Sequence, residues 1–326
     1  MQAIHQGRLC VIGAALCWSV VGAGVKFVSP PLNGWQVAAG RSLFAFLFLC
    51  AVLRPWRGRL LPSPKGALLA LVYAAMLILF ILANTRTLAA NAILLQDSAL
   101  LWIVLLSPVL LGEPRRKADL AVLLLCALGM TLLFKDQLQP GQQSGNLLAL
   151  ASGVAYALVL MGLRWGRCRE SARLPSEPAG PLFSRRPPTD AELMILWGNL
   201  LCVLFCIPWM GPWPAEKAAA PLLAVAFMGV VQLGLGYYLA SLGLSHVPAT
   251  EGALLTLIEP VLNPVWAFLL VGEVPGPWSL CGGAVILVSI GWRACTTDVA
   301  AAAAPNDPSA ITVPLQPPSD RAQLPP

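Results

Sequence analysis

Ten stretches of this chain are each apolar over about the 20 residues that a helix needs to cross a bilayer. They lie near 9–28, 35–53, 66–86, 89–111, 118–134, 146–164, 192–210, 219–241, 249–271 and 277–293. In hydrocarbon every backbone N–H and C=O must find its partner inside the protein, so such runs fold as helices. Composition agrees. Of 326 residues 57% are hydrophobic and only 11% charged, against about 25% charged in a soluble domain, and the mean hydropathy is +0.73. The expected fold class is an all-α integral membrane protein with ten transmembrane helices.

Basic residues set the expected orientation. With the N-terminus in the cytoplasm, the inner segments hold Arg8; Arg54, Arg57, Arg59 and Lys65; Arg115, Arg116 and Lys117; Arg164, Arg167, Arg169, Arg173, Arg185 and Arg186; and Arg293. The outer side receives only Lys26, Arg86, Lys135 and Lys217. That bias requires an even number of spans and places both termini inside. It also removes the nucleic-acid reading of the +6 net charge, because the cations lie between apolar runs and not on one soluble face. The first run is too long for a signal-peptide core and no A-x-A-type site follows it, so it is expected to remain as a helix. Most of the nine cysteines lie within apolar runs and lack His or Cys partners at zinc spacing, so no metal, disulfide or cofactor role is expected.

The chain repeats itself. Shifted by 160 residues, A-A-N-A-I-L-L-Q-D-S-A-L-L-W-I-V-L-L-S-P-V-L-L-G-E (89–113) falls on A-T-E-G-A-L-L-T-L-I-E-P-V-L-N-P-V-W-A-F-L-L-V-G-E (249–273). A second offset sets Gly7-Arg8-Leu9 on Gly145-Asn146-Leu147 and Trp18 on Tyr156. Leucine matches are cheap in apolar sequence, but a Gly-Glu pair closing the same helix twice is not. Five helices per unit is an odd number, so the second unit enters the membrane from the opposite side. This is the inverted-repeat plan of secondary transporters, whose substrate site lies near the midplane. The expected units are 1–137 and 138–293. A basic, Pro-rich cytoplasmic linker is expected at 165–191 and a disordered tail at 294–326. Gly112 and Gly272 can end their helices, and Glu113 and Glu273 then sit at the water interface, where charge needs no functional reason.

These features resemble the EamA family of the drug/metabolite transporter superfamily. The resemblance rests on A-G-R (39–41), A-N-A-I-L-L-Q (90–96), E-P-V (259–261), the two Gly-Glu helix ends, and Gly283 ten residues beyond the second. It covers roughly 7–293 and implies a ten-helix exporter of amino acids and other metabolites without metal or organic cofactor. In this pattern Asn199 stands in the second repeat where Arg41 stands in the first.

Ionisable groups inside a span cost about 2.5–3.5 kcal/mol at a helix centre and therefore face a cavity or a partner. Three stand out: Glu259 in the ninth run, Asp97 in the fourth and Arg41 in the second. A carboxyl in a low-dielectric cavity can carry a proton or pair with a substrate amine. A static ion pair with Arg41 is the bland alternative. Pro260 and Pro264 each remove a backbone donor from the helix holding Glu259, and an acid beside a broken turn forms a polar notch. Gln96, Asn91, Asn199 and Asn263 offer hydrogen bonds. Of the aromatics within spans, Trp18, Tyr73, Tyr156, Tyr237 and Tyr238 read as anchors, whereas Trp102 and Trp266 follow the acids on the same helices and read as cavity candidates. The Gly-rich G-L-G-Y-Y (234–238) serves close helix approach; no Walker motif is present.

The leading expectation is a secondary exporter of small metabolites, such as amino acids or amine-bearing compounds. It would work by alternating access, with proton coupling through Glu259 as one energy source. The alternative on the same fold is a passive facilitator or a lipid-headgroup flippase. A membrane enzyme is disfavoured, because the two histidines, His5 and His246, stand at helix margins and no H-E-x-x-H or G-x-S-x-G occurs. The expected partners are a small-molecule cargo and the bilayer, not nucleic acid, with a homodimer left open. The expected location is a bacterial inner or plasma membrane.

Overall fold

In a computed structural model of the protein, residues 2–87, 89–112, 117–133, 135, 143–173, 187–213, 219–271 and 276–303 are described. These residues form helices and their connections, with no strand among them. Fourteen α-helices follow one another: α1 (Gln2–Trp18), α2 (Val21–Val28), α3 (Gly34–Leu53), α4 (Pro64–Arg86), α5 (Ala89–Gln96), α6 (Ala99–Leu110), α7 (Lys117–Leu133), α8 (Gln143–Arg173), α9 (Asp190–Cys206), α10 (Ala219–Phe227), α11 (Gly236–Gly243), α12 (Ala249–Thr256), α13 (Ile258–Val271) and α14 (Pro277–Ala303). A π-helical segment, Met228–Leu235, joins α10 to α11.

Among the described residues six helices are long and apolar enough to cross a membrane: Gly34–Leu53, Pro64–Arg86, Ala92–Leu110, Gln143–Gly166, Asp190–Trp209 and Ala220–Gly243. Leu120–Leu132 and Leu280–Trp292 are shorter apolar helices. The remaining expected spans, near 9–28 and 249–271, are each interrupted. One breaks between Trp18 and Val21 and the other at Leu257. The surface is that of a body solvated by lipid: Val109, Leu223 and Val288 are 79%, 72% and 70% exposed, an apolar coat that water would not tolerate.

Helix ends follow local chemistry. Asn33 and Gln36 form a reciprocal capping box at the start of α3, and Thr189 and Glu192 do the same for α9. Ser63 caps α4 through the Gly66 amide. After α6, Gly112 adopts φ 70°, the left-handed conformation that glycine supplies at helix ends. Glu113, Gly272 and Glu273 lie outside the described residues. Two boundaries differ from the sequence expectation. Helix α8 continues to Arg173, into the basic linker, and α14 continues to Ala303, into the segment expected as tail. Alanine is the best helix former, and 299–303 is all alanine but for Val299.

Small residues set the closest approaches. A Cβ on Gly243 of α11 would lie 2.7 Å from the Gly7 carbonyl of α1. One on Gly229 of the π segment would run into the Arg41 carbonyl of α3. A Cβ on Gly153 of α8 would meet Ser98 Oγ at 2.7 Å and the carbonyls of Gln96 and Leu95 at 2.8 and 2.9 Å, so α8 rests directly on the break between α5 and α6. Because two of those neighbours are backbone, they cannot swing aside. Gly153→Ala is therefore expected to destabilise the detergent-solubilised protein by about 1–3 kcal/mol. Gly291→Ala in α14 has open space around its new methyl and should be neutral or stabilising by up to about 1 kcal/mol. Thermal unfolding of the two variants side by side checks the contrast.

Candidate functional site

Helix breaks converge on one interior cavity. At the first, Ser19 bonds back to Leu16 through its hydroxyl and accepts a 2.8 Å hydrogen bond from the Trp266 indole of α13. At the second, Asp97 and Ser98 form a turn in which Ser98 N–H reaches Leu95 O and Leu100 N–H reaches Asp97 O. At the third, Leu257 N–H turns back to Leu254 O between α12 and α13. Asp97 and Leu257 are matched positions of the 160-residue shift. The fourth is the π segment, whose hydrogen bonds run one residue longer than in an α-helix.

The cavity lies among these breaks. Its polar wall is Arg41 of α3, Gln96 of α5, Gln232 of the π segment and Glu259 of α13. Its aromatic wall is Trp18, Tyr156 and Tyr237 together with Phe80. The rings brace one another: Trp18 lies 4.6 Å from Tyr237 and 6.0 Å from Tyr156, edge-on to the latter, and Tyr73 stands edge-on to Tyr237 at 4.9 Å. The rest is aliphatic or thioether: Met76, Leu77 and Leu233.

Arg41 is 1% exposed. Its guanidinium donates to Gln232 Oε1 at 3.3 Å and to Leu77 O at 3.5 Å, and its Nε has no hydrogen-bond partner. Among the described residues no ion pair joins it to Asp97 or Glu259; its contacts are neutral. Glu259 faces the cavity, and Asp97 is its electrostatic neighbour. Asp97 Oδ2 is buried without a hydrogen-bond partner. Gln96 is fixed by donating to Ser152 Oγ at 2.7 Å, and Ser152 in turn donates to Met76 O.

Of the residues singled out in the sequence, Glu259, Arg41 and Gln96 line the cavity. Asp97 stands beside it at the helix turn, and Pro260 is buried within α13. Asn199 is fully buried behind the aromatic wall, donating to Ile195 O at 2.9 Å and to Tyr73 OH at 3.5 Å. Trp102 is 39% exposed on the outer surface, and Trp266 spends its donor on Ser19, so neither is among the lining residues. The side chains of Asn91, Asn263 and Pro264 lie outside the described residues. Gln232 was missed: an amide within an otherwise apolar run was its signal. Trp18, Tyr156 and Tyr237 carried the opposite ambiguity, since ring spacing does not separate an anchor from a wall.

The bundle ends are fastened across α1–α7 and α8–α14. At the end where the chain starts, Arg8 Nε meets Glu251 Oε1 at 2.7 Å, with both side chains under 10% exposed. Arg164 donates to Leu244 O at 3.0 Å and Arg59 pairs with Asp190 at 3.3 Å. At the other end Asn33 and Gln36 donate to the carbonyls of Met210 and Pro212, and Thr87 donates to Asn146 Oδ1 at 2.8 Å.

A family model described as the EamA-like transporter family matches residues 5–135 and again 181–292. The chain belongs to the EamA-like transporter family. It is thus a multi-pass membrane protein of a transporter family. The pseudopaline exporter CntI of Pseudomonas aeruginosa is 25% identical over 293 residues, covering 89% of this chain and 96% of that protein. An uncharacterized transporter of Archaeoglobus fulgidus is 28% identical over 299 residues, with 90% and 98% covered. A solved crystal structure superposes with a TM-score of 0.69 at 20% identity, covering 90% of this chain and 98% of that one; that likeness concerns the fold alone.

The Arg8–Glu251 pair invites a direct test. Removing one member of a buried ion pair strands a charge and costs about 3–5 kcal/mol, whereas replacing both by apolar residues is often near neutral. Glu251→Gln is expected to lower the unfolding midpoint strongly. The double variant Arg8→Met with Glu251→Leu should recover most of the loss, measured by thermal unfolding in detergent.

Proposed function

We propose that this EamA-family protein is a secondary carrier exporting small metabolites such as amino acids or amine-bearing compounds. Ten spans form two inverted five-helix repeats, and the cargo binds in the cavity between them near the membrane midplane. Alternating access then moves one repeat against the other. The observation that carries this reading is the cavity itself: an acid, a guanidinium and two amides enclosed by aromatics, contributed by helices of both halves and ringed by helix breaks. Irregular backbone at membrane depth is tolerated where it lines a cavity.

Other observations support the same reading. The family model matches twice, once in each half. The breaks at Asp97 and Leu257 fall at matched positions. Arg8 of α1 pairs with Glu251 of α12, and Thr87 after α4 bonds Asn146 of α8, contacts that alternating spans would place at opposite ends of the bundle. A relative covering nearly the whole chain is named an exporter. With the basic segments inside, both termini are cytoplasmic, and a bacterial inner membrane suits that placement. In this scheme Glu259, with Asp97 beside it, takes a proton or the cargo's amine. The alternative on the same fold is a passive facilitator or a lipid-headgroup flippase.

The deciding experiment expresses wild type and Glu259→Gln at equal levels and compares the outside medium by mass spectrometry. One compound class is expected to accumulate outside with wild type and to fall at least about tenfold in the variant, as for loss of a charged hydrogen-bonding group. Equal export by both, with the same dependence on an imposed pH gradient, removes Glu259 from the mechanism and favours the facilitator.

A further inference from the structure

Large apolar side chains clustered at a water-facing surface mark a place where something else binds. The connection between α3 and α4, R-P-W-R-G-R-L-L-P-S-P-K (54–65), carries such a cluster at one end of the bundle. Trp56, Leu60 and Leu61 are 63%, 54% and 62% exposed. Interleaved with them are four cations, Arg54, Arg57, Arg59 and Lys65, and no acid. Arg54, Arg59 and Lys65 are exposed as well. An indole and two leucines set among cations match the boundary between lipid headgroups and acyl chains, where apolar side chains enter the membrane and basic ones stay with the headgroups.

The rest of the molecule fixes this loop in place. Asp190, at the start of α9, accepts from the Ser63 amide at 2.7 Å and from the Ser63 hydroxyl, and pairs with Arg59 at 3.3 Å. The Trp197 indole of α9 donates to Leu60 O at 2.8 Å, and Arg59 Nε donates to Leu61 O at 2.8 Å. Lys65 lies over the Trp165 ring of α8, 5.4 Å from its centroid. The backbone is thus held at Leu60, Leu61 and Ser63 while the two leucine side chains stay outside. With both leucine carbonyls bonded, the loop can lie against hydrocarbon without stranding them. The acids at the start of α9 do not cancel the charge at the surface. Asp190 and Glu192 are both buried, the first against Ser63 and Arg59 and the second against Thr189.

We propose that this patch is a binding site for an anionic phospholipid. Arg54 and Lys65, at the two ends of the loop, supply charge to the headgroup, and Trp56, Leu60 and Leu61 lie against the glycerol and the upper acyl chains. Arg59 shares its charge with Asp190 and braces the site. The basic segments place this lipid in the cytoplasmic leaflet. The loop belongs to the first half of the chain and its ties reach α8 and α9 of the second, so the lipid rests where the halves meet. The inference needs the membrane setting and not the carrier reading.

The test uses the purified full-length protein in detergent. The probes are dioleoylphosphatidylglycerol, dioleoylphosphatidylcholine, the acyl-free headgroup glycerophosphoglycerol, and inorganic phosphate. Binding is read by native mass spectrometry of retained lipid and by the thermal unfolding midpoint across a titration. Each basic residue near an anionic lipid surface favours binding about fivefold, so phosphatidylglycerol is expected to act at a concentration about twentyfold below phosphatidylcholine. Arg54→Asn with Lys65→Gln should remove most of that preference; asparagine tolerates the left-handed φ of 47° at position 54. Trp56→Ser should weaken both lipids and leave their ratio unchanged. Lys135→Gln, on the side expected to face out, should keep the preference. If the double variant does not fold, Arg54→Asn alone is expected to lower the preference about fivefold. The inference is overturned if the two lipids act alike, if the variants at 54 and 65 keep the wild-type preference, or if Lys135→Gln lowers it equally, which would assign the attraction to total charge. It is also overturned if glycerophosphoglycerol or phosphate acts as well as the lipid, which would make the patch a site for free anions.

Discussion

In a lipid-solvated chain the backbone hydrogen bond is the constraint from which the rest follows. An unpaired N–H or C=O in hydrocarbon costs several kcal/mol, so every span must be helical unless the interruption faces something polar. This protein interrupts its helices at Ser19, at Asp97–Ser98, along Met228–Leu235 and at Leu257. Side chains or short turns take up freed groups at these places: the Ser19 hydroxyl to Leu16, Ser98 to Leu95, Leu257 to Leu254. The cavity lies among these places, with Trp18, Gln96, Gln232 and Glu259 at or beside them. Backbone economy and the position of the polar wall are therefore one design.

Much of the architecture was legible because lipid is a strict solvent. Apolar runs of the right length could only be helices, and among the described residues six stretches are long and apolar enough to span, two of them interrupted at Asp97–Ser98 and along Met228–Leu235. The two other runs that are interrupted, around 9–28 and 249–271, carried warnings of unequal strength. Pro260 and Pro264 were expected to break the helix around Glu259; the chain turns at Leu257, and α13 runs from Ile258 through both positions. Near Ser19 no proline or special spacing marked the interruption, and serine in a span reads as harmless. The π segment had glycines on either side of Gln232, but glycine in membrane helices usually means close packing, so the pattern did not single out a widened turn.

For the site, charge was the readable signal and direction was not. Glu259, Arg41 and Gln96 could be selected because polar groups in spans are costly. Which neighbours they meet depends on helix rotation, and apolar runs with residues buried on one side and lipid on the other give rotation away poorly. Trp102 shows this well. It lies five residues beyond Asp97, yet it faces outward while the acid faces inward. Glu251 was overlooked for a related reason: near a helix start it reads as an interfacial charge, and its partner Arg8 lies 243 residues away in sequence.

The π segment has a consequence of its own. A turn closed over one extra residue contains, in effect, a residue that an α-helix of equal span lacks. Deleting one residue there would let the ladder close in the ordinary way and rotate everything on one side by about 100°. Gln232 would then leave Arg41 although neither residue had changed. Part of this protein's chemistry is thus written in the length of its chain between Gly229 and Gly236 rather than in the identity of any side chain, and a comparison of relatives by matched letters alone passes over it.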